Sequence, residues 1–112
     1  MDKTTGTKKC KELTFVNDTT EQHYLDDDIA TRICIPNDVA FNGVSLTAEV
    51  SMDAKEWFAH YDRLGGTLAI AVGAARGVVF DLNEFADMAY MRFKAPDNSL
   101  NGKKITLVHR EL

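Results

Sequence analysis

Three features are scarce in this chain of 112 residues: cysteine, long apolar runs and a surplus of positive charge. Neither of its two cysteines has a second cysteine three positions away, so there is no redox or zinc motif of the Cys-x-x-Cys type. No run reaches the roughly 18 apolar residues that a membrane-spanning helix needs. A formal net charge of -4 argues against a dedicated nucleic-acid-binding protein, which would carry a basic face.

The N-terminal residues 1–9 are polar and basic, without the apolar stretch of a signal peptide. We therefore expect synthesis in a cytosol without export by that route. Residues 1–9 are predicted to be a flexible arm, with the alternative that they order against a neighbouring molecule. In a cytosol, Cys10 and Cys34 are expected to be reduced, partly buried thiols, and a disulfide between neighbouring strands is the alternative.

The rest of the chain, residues 10–112, is predicted to form one all-β domain. Segments such as Leu46–Val50 alternate apolar and polar residues with period two, which indicates a sheet with one buried face. Turn-forming residues recur every eight to twelve positions or so, which favours an antiparallel β-sandwich or jelly-roll-like fold. One short helical turn is predicted near Leu82–Asp87. The predicted strands are Cys10–Val16, Ile29–Ile35, Ser45–Ser51, Trp57–Tyr61, Thr67–Val72, Arg76–Asp81, Ala89–Lys94 and Lys104–Arg110.

The predicted core follows from the same alternation. In the second strand, the pattern places Ile29, Thr31, Ile33 and Ile35 on one face. A single Trp in a small β domain is usually buried, so Trp57 is predicted to be a core residue, and a stacking platform for sugar rings with Phe58 and Tyr61 is the alternative. The full set of predicted core residues is Leu46, Val50, Trp57, Ile70, Phe80, Phe93 and Leu107.

No group of residues has the spacing of a catalytic, cofactor or metal site. His23, His60 and His109 are isolated in sequence and are interpreted as solvated loop residues. The run Asp26-Asp27-Asp28 lacks the glycine and closing Glu of a calcium loop, so a solvated acidic loop is predicted. Glu84 and Asp87 would act as a glycosidase pair only if they faced each other across a groove. The sequence therefore predicts a protein that is not an enzyme and needs no cofactor.

From Val44 onward the chain resembles a family of small β-sandwich proteins that are encoded beside the head and structural genes of tailed bacteriophages. The resemblance rests on the order and spacing of short motifs over about 70 residues. The hairpin Ser51–Trp57 also resembles the Ser-x-Asp-Gly-x-x-Trp hairpin of discoidin-like and carbohydrate-binding sandwiches, but Ala54 stands where those have glycine, which counts against sugar binding. The motifs are Val50-Ser51-Met52-Asp53, Trp57, Tyr61-Asp62, Gly66-Thr67, Val72, Ala75-Arg76, Asp81-Leu82, Phe85-Ala86, Arg92-Phe93 and Ile105-Thr106-Leu107-Val108.

The resemblance implies a structural virion protein, most directly a capsid decoration or cement protein on the outer surface of a phage head. Its implied partners are the major capsid protein and neighbouring copies of itself, with no nucleic acid, membrane or small-molecule ligand. An adhesion module of a virion fibre or tail that binds glycans is the alternative. The contact surface is expected in loops at one end of the domain, such as Asn37–Asn42, Asp62–Gly66 and Ala95–Lys103. The expected interaction residues are Lys3, Lys8, Lys9, Asn37, Asp38, Arg63, Asp97 and Asn98.

Overall fold

The computed structural model describes residues 8–25, 28–61, 69–79 and 88–111. Phe80 and the helical turn predicted at Leu82–Asp87 lie outside these ranges. Within them, no helix is long and apolar enough to cross a bilayer. The strands are β1 (Lys8–Val16), β2 (Thr19–Thr20), β3 (His23–Tyr24), β4 (Asp28–Cys34), β5 (Ser45–Ser51), β6 (Phe58–Ala59), β7 (Ala69–Ala71), β8 (Gly77–Val79), β9 (Tyr90–Lys94) and β10 (Lys104–Glu111).

These strands form one continuous, curled antiparallel sheet, which confirms the all-β prediction. The sheet has two parts. Wing A contains the strands β1, β10, β4 and β8 in that order, and wing B contains β2, β3, β9, β5, β6 and β7. The wings are not separate sheets, because β1 pairs with β10 over Lys8–Thr14 and then with β2 over Phe15–Val16. The strands form a single sheet that curls through β1, and the sandwich or jelly-roll-like arrangement of the sequence prediction is not confirmed.

The predicted strand boundaries hold best where one face of the strand is buried. Strand β5 has the predicted bounds, and Leu46, Ala48 and Val50 are buried as expected. Strand β1 begins earlier than predicted, because Lys8 pairs with Arg110 and Lys9 with His109. Lys8 and Lys9 are therefore part of the sheet rather than of a flexible arm. Residues 1–7 lie outside the described residues.

One hydrophobic core joins the inner faces of both wings. The predicted core residues Leu46, Val50, Ile70, Phe93 and Leu107 are at most 5% exposed. Trp57 is not a member of this core, and the prediction for it is wrong. The largest fully buried side chains are Phe15, Phe41, Phe93, Leu13, Leu25, Ile33, Leu46, Met91, Leu100, Ile105 and Leu107.

The alternation predicted for the second strand is interrupted by a β-bulge. In the pairing of β4 with β10, Val108 lies opposite Arg32 and the next residue, His109, lies opposite Ala30. Thr31 is left without a partner, and its hydroxyl donates to the carbonyl of Val108 at 3.1 Å. Because of this extra residue, the residues of β4 that precede it lie on the opposite face of the sheet from the one that regular alternation predicts. Ala30 therefore joins Ile33 and Ile35 in the core, whereas Thr31 does not.

The turn between β5 and β6 holds an alanine in a backbone conformation that favours glycine. Ala54 has a φ of 64°, in the left-handed region where a Cβ is disfavoured. The turn is held by the hydroxyl of Ser51, which accepts from the Ala54 amide at 2.9 Å. The carboxylate of Asp53 accepts from the amides of Lys55 and Glu56 at 2.9 and 3.0 Å, and these bonds lower the pKa of Asp53. Local hydrogen bonds thus compensate for the strained alanine.

Replacing this alanine should stabilise the fold. We expect Ala54→Gly to raise the free energy of unfolding by about 0.5–1 kcal/mol, because relief of the left-handed strain exceeds the greater chain entropy of glycine. Ala59→Gly is the control in β6, since Ala59 is an exposed alanine without a positive φ, whereas Ala54 is half-buried. It should lower stability by about 0.5–1 kcal/mol. Urea unfolding of both variants measures the difference, and equal losses would contradict the strain at Ala54.

Candidate functional site

Two turns with the same sequence pattern lie beside each other at one end of the domain. The pattern is Asp-x-x-apolar-Asn-Gly, and it occurs at Asp38–Gly43 and at Asp97–Gly102. Each copy contains one 3-10 turn, named η1 (Val39–Phe41) and η2 (Asn98–Leu100). The first turn takes the chain from β4 in wing A to β5 in wing B, and the second returns it from β9 to β10.

The shared residues explain why both segments fold in the same way. The carboxylate of Asp38 accepts from the Ala40 amide at 2.9 Å, and Asp97 accepts from Ser99 at the same distance. Each carboxylate thereby caps the first turn of its 3-10 segment. The glycines that end the pattern, Gly43 and Gly102, have φ values of 75° and 82°, which glycine adopts without strain.

Side chains of both turns also bind neighbouring turns of the chain. The side-chain oxygen of Asn42 accepts from the Ala74 amide at 2.9 Å, and that of Asn101 accepts from the Asn17 amide at 2.8 Å. Phe41 and Leu100 are fully buried beneath their own turns. The two 3-10 turns, the β1–β2 hairpin turn at residues 17–18 and the turn at residues 74–75, which connects β7 in wing B to β8 in wing A, therefore form one braced surface. We call this surface the turn end.

The carboxylates of the turn end are held in their ionised form. Lys103 Nζ lies 2.8 Å from Asp38 Oδ2. This bond and the one from the Ala40 amide lower the pKa of Asp38. Hydrogen bonds from Ser99 lower the pKa of Asp97. Both carboxylates therefore stay ionised, and continue to cap their 3-10 turns, at neutral pH and in mild acid.

The turn end brings together four of the predicted interaction residues: Asn37, Asp38, Asp97 and Asn98. Asn37 and Asn98 are exposed, and Val39 at the tip of η1 is 78% exposed. Lys8 and Lys9 lie at the other end of β1, about 26 Å from Val16 at some 3.3 Å per residue. Lys3, Arg63 and the loop Asp62–Gly66 lie outside the described residues.

A second surface lies on the outer face of wing B. Arg92 and Glu49 lie opposite each other there, with Arg92 Nε 2.7 Å from Glu49 Oε1. The guanidinium carbon of Arg92 is 4.1 Å from the centre of the Trp57 ring, a cation–π contact. Trp57 is half-buried against this arginine. Trp57 is not part of the core because β6 has only two residues, Phe58 and Ala59, and Trp57 precedes them at the margin of the sheet.

Other aromatic side chains are exposed near the ends of the same strands. Tyr24 and Tyr90 lie opposite each other, with ring centres 5.0 Å apart. Tyr24, Phe58 and Tyr61 are each more than half exposed. Phe58 lies opposite Val50 and so belongs to the other face from Trp57. Trp57 and Phe58 therefore do not form one continuous platform.

Cys10 and Cys34 are both free and exposed, which corrects the expectation of partly buried thiols. Their strands, β1 and β4, flank β10 and do not pair with each other. Two strand spacings amount to about 9.5 Å, beyond the Cα separation that a disulfide tolerates.

His23 and His109 form a buried cluster at the end of the core away from the turn end. They are 5% and 7% exposed, and their ring centres are 4.5 Å apart. His109 Nδ1 lies 2.5 Å from Asp28 Oδ2, and Lys9 Nζ lies 3.9 Å from the same oxygen. Neither ring nitrogen of His23 has a hydrogen-bond partner. The interpretation of His23, His109 and Asp28 as solvated loop residues is therefore wrong, because all three lie in strands; Asp26 and Asp27 lie outside the described residues.

Among the described residues, no three His, Cys, Asp or Glu side chains are placed to hold a metal ion. Burial, helped by the positive charges of His109 and Lys11, lowers the pKa of His23 to about 4. His23 is therefore neutral at physiological pH. The sequence does indicate that its neighbour His109 is buried, because Ile105, Leu107 and His109 alternate onto the core face.

The buried His23 should make stability depend on pH. In the unfolded chain it takes up a proton near pH 6.5 and in the folded chain only near pH 4. The contribution of neutral His23 to stability is therefore fully present above pH 6.5. As the pH drops to 4, the free energy of unfolding falls by up to about 3 kcal/mol. In the His23→Gln variant, the urea midpoint should depend less on pH over this window. The loss of stability below pH 4, which comes from protonation of Asp38, Asp53 and Asp97, should remain. An unchanged slope between pH 6.5 and 4 in His23→Gln would contradict the assignment.

Comparison of the chain with protein-family models, with curated proteins and with solved structures found no match.

Proposed function

We propose that this protein is a structural virion protein that decorates and stabilises the outside of a phage head, and that it binds through the turn end. The observation that carries the proposal is the braced pair of turns, which presents a preformed contact surface. The resemblance over Val44–Val108 supplies the phage context. The net charge of -4 suits the outside of a capsid better than its DNA-lined interior.

The turn end has the rigidity that a cement protein needs. Its backbone amides are bound by Asp38, Asp97, Asn42 and Asn101, so little order remains to be gained on binding. A surface that is ordered before binding loses less conformational entropy in the complex. Each copy then contributes its contact energy at many identical positions on a shell.

The exposed side chains of the turn end suit a protein partner. Val39 supplies an apolar contact at the tip, and Asn37, Asn98 and Ser99 supply polar groups around it. Protein interfaces combine an apolar centre with a polar rim. A specific interface buries about 800 Å² on each partner.

The test uses particles assembled without the protein and then supplied with purified variants. Particles lacking it should assemble but lose DNA at lower temperature or lower salt, and the unmodified protein should restore resistance. Val39→Asp should weaken particle binding by tenfold or more, because it places a charge at the centre of the contact. Met52→Asp is the matched control, since Met52 is also an exposed apolar residue and lies away from the turn end.

Both substitutions should change the stability of the isolated domain by less than about 0.5 kcal/mol, as surface changes do. Equal particle binding by the Val39 and Met52 variants would exclude the turn end as the contact. Particles that survive heat and low salt equally well without the protein, but fail to adsorb to cells, would exclude the decoration function itself.

A second function, glycan binding by a virion fibre or tail module, is favoured by one observation. Trp57 is half-buried on the outer face of wing B, beside Arg92 and Glu49, rather than in the core. An indole ring that is partly exposed beside hydrogen-bonding groups can stack on a sugar ring. The departure at Ala54 from the pattern of carbohydrate-binding sandwiches remains an argument against it.

Trp57→Ala separates the two functions. Because Trp57 is not in the core, we expect the substitution to cost about 1 kcal/mol, the size of a surface cation–π contact with modest burial, instead of the 3–5 kcal/mol of a core aromatic. Decoration through the turn end should survive it. Loss of binding to host-cell glycans on an array, with particle binding intact, would support the adhesion function.

A further inference from the structure

The two crossing turns belong to two equivalent halves of the sheet. Strand β4 runs through η1 into β5, and β9 runs through η2 into β10. Strand β4 pairs with β10 as β9 pairs with β5, and β10 also pairs with β1 as β5 pairs with β7. The Phe15 amide donates to the Lys103 carbonyl at 2.8 Å. At the equivalent place, the Val72 amide donates to the Val44 carbonyl at 3.1 Å. An approximate twofold relation therefore allows equivalent positions to be compared within one chain.

This comparison shows that the histidine on β10 is not required by the fold. Ile105 of β10 and Leu46 of β5 are equivalent, because they lie at the same place in the two matching pairings. Four residues later, His109 stands where the other half has Val50. Val50 lies opposite Met91, and both are buried apolar residues. A polar residue at His109 is therefore a feature of one half alone.

The β-bulge is a second difference between the halves. The pairing of β5 with β9 runs without a shift, whereas the pairing of β10 with β4 shifts after Val108. Regular alternation would place Asp28 on the outer face together with Arg32. The bulge instead places Asp28 on the core face, where its Oδ2 lies 2.5 Å from His109 Nδ1. The bulge therefore brings the carboxylate to the histidine, as bulges beside specialised sites commonly re-aim a side chain.

The other histidine of the cluster comes from wing B. His23 lies on β3 opposite Met91, and its ring centre is 4.5 Å from that of His109. It is 5% exposed, and neither ring nitrogen has a hydrogen-bond partner among the described residues. The titratable and charged groups around the ring are His109 of β10, Asp28 of β4, and Lys9 and Lys11 of β1. The contact between the two histidines therefore joins the wings at the end of the core away from the turn end.

The closed cluster does not accommodate a proton on His23. Burial, helped by the positive charges of His109 and Lys11, lowers the pKa of His23 to about 4. Asp28, whose carboxylate favours the charged ring, lies against His109 instead. A solvated histidine takes up its proton near pH 6.5. As the pH falls from 6.5 to 4, a state that exposes His23 therefore gains in population by up to about 300-fold relative to the closed state.

The segment that carries His23 is held by fewer bonds than the strand that carries His109. Among the described strands, β3 has two residues and pairs with β9 alone. Beyond it, the Leu25 amide donates to the Ala89 carbonyl at 2.8 Å. Strand β10, in contrast, pairs along most of its length with both β1 and β4. Short segments with few bonds open at a lower free energy than core strands, so the opening that exposes His23 begins at β3.

We propose that the contact of His23 with His109 is an acid-sensitive clasp between the two wings, and that proton uptake by His23 releases the segment His23–Leu25 while the turn end stays closed. Release uncovers the side chains of Leu25 and Met91, which are fully buried in the closed state. The clasp thereby creates in acid an apolar surface that is absent at neutral pH. It does not depend on the proposed decoration function.

The test is native-state hydrogen exchange of the ¹⁵N-labelled full chain between pH 6.5 and 4, with protection factors corrected for the intrinsic pH dependence of exchange. The Leu25 amide should lose protection by up to about 300-fold over this range. Its opening should be insensitive to low concentrations of urea, because a local opening exposes little surface. The amides of Phe15 and Ala95, which bond beside the turn end, should remain at least tenfold better protected than Leu25 at pH 4.

Histidine variants show whether His23 is the group that responds. His23→Gln should remove most of the pH dependence at Leu25. His60→Gln is the control and should keep it, since β6 and β3 lie on opposite sides of the β5–β9 pair. If His23→Gln does not fold, an NMR titration of the His23 ring in the unmodified protein gives the same check, because the closed ring should titrate well below pH 6.5.

Three results would each overturn the proposal. Equal protection of Leu25, Phe15 and Ala95 at pH 4 would show that acid opens the whole domain rather than the clasp. An unchanged pH dependence at Leu25 in His23→Gln would assign the response to another group. A His23 ring that titrates near pH 6.5 in the folded protein would show that the closed cluster accepts the proton.

Discussion

The fold depends on how the chain crosses between the two wings without leaving buried main-chain polar groups unpaired. At the turn end it does so twice with the same short pattern. An aspartate carboxylate takes the first free amide, and a glycine with positive φ redirects the chain. The apolar residue of each pattern, Phe41 or Leu100, fills the space between the wings. At the crossing, side chains thus form the hydrogen bonds to main-chain groups that neighbouring strands form elsewhere.

The same requirement explains the character of the turn end as a surface. The asparagines of the two patterns bind the adjacent turns at residues 17–18 and 74–75, so four turns are fixed relative to one another. Polar groups that would otherwise need water are already bound within the protein. What remains exposed is a small set of side chains led by Val39. A rigid contact surface is therefore a consequence of closing the curled sheet.

The sequence predicted the fold well where burial alone decides the pattern. In β5, alternation is enough to identify Leu46, Ala48 and Val50 as core residues, because that strand is regular and its other face is polar. The bulge at Thr31 could not be predicted, since it depends on the register between β4 and β10, which are far apart in sequence.

The errors at single residues have different causes. Trp57 was assigned to the core by residue type, but its place is decided by the short strand β6 and the turn at Ala54 before it. His109 was assigned to solvent by residue type, although the alternation with Ile105 and Leu107 pointed inward. The two Asp-x-x-apolar-Asn-Gly patterns are visible in the sequence, but their adjacency depends on the topology.

The distribution of charge gives the molecule a direction along β1. At the turn end, Lys103 is paired with Asp38, and the exposed side chains include the carboxylate of Asp97 beside Val39 and Asn98. At the other end, Lys8, Lys9 and Lys11 are exposed. The two ends lie about 26 Å apart along the strand. Strand β1 therefore joins a braced end, where the side chain of Lys103 is held by Asp38, to an end where lysine side chains are exposed.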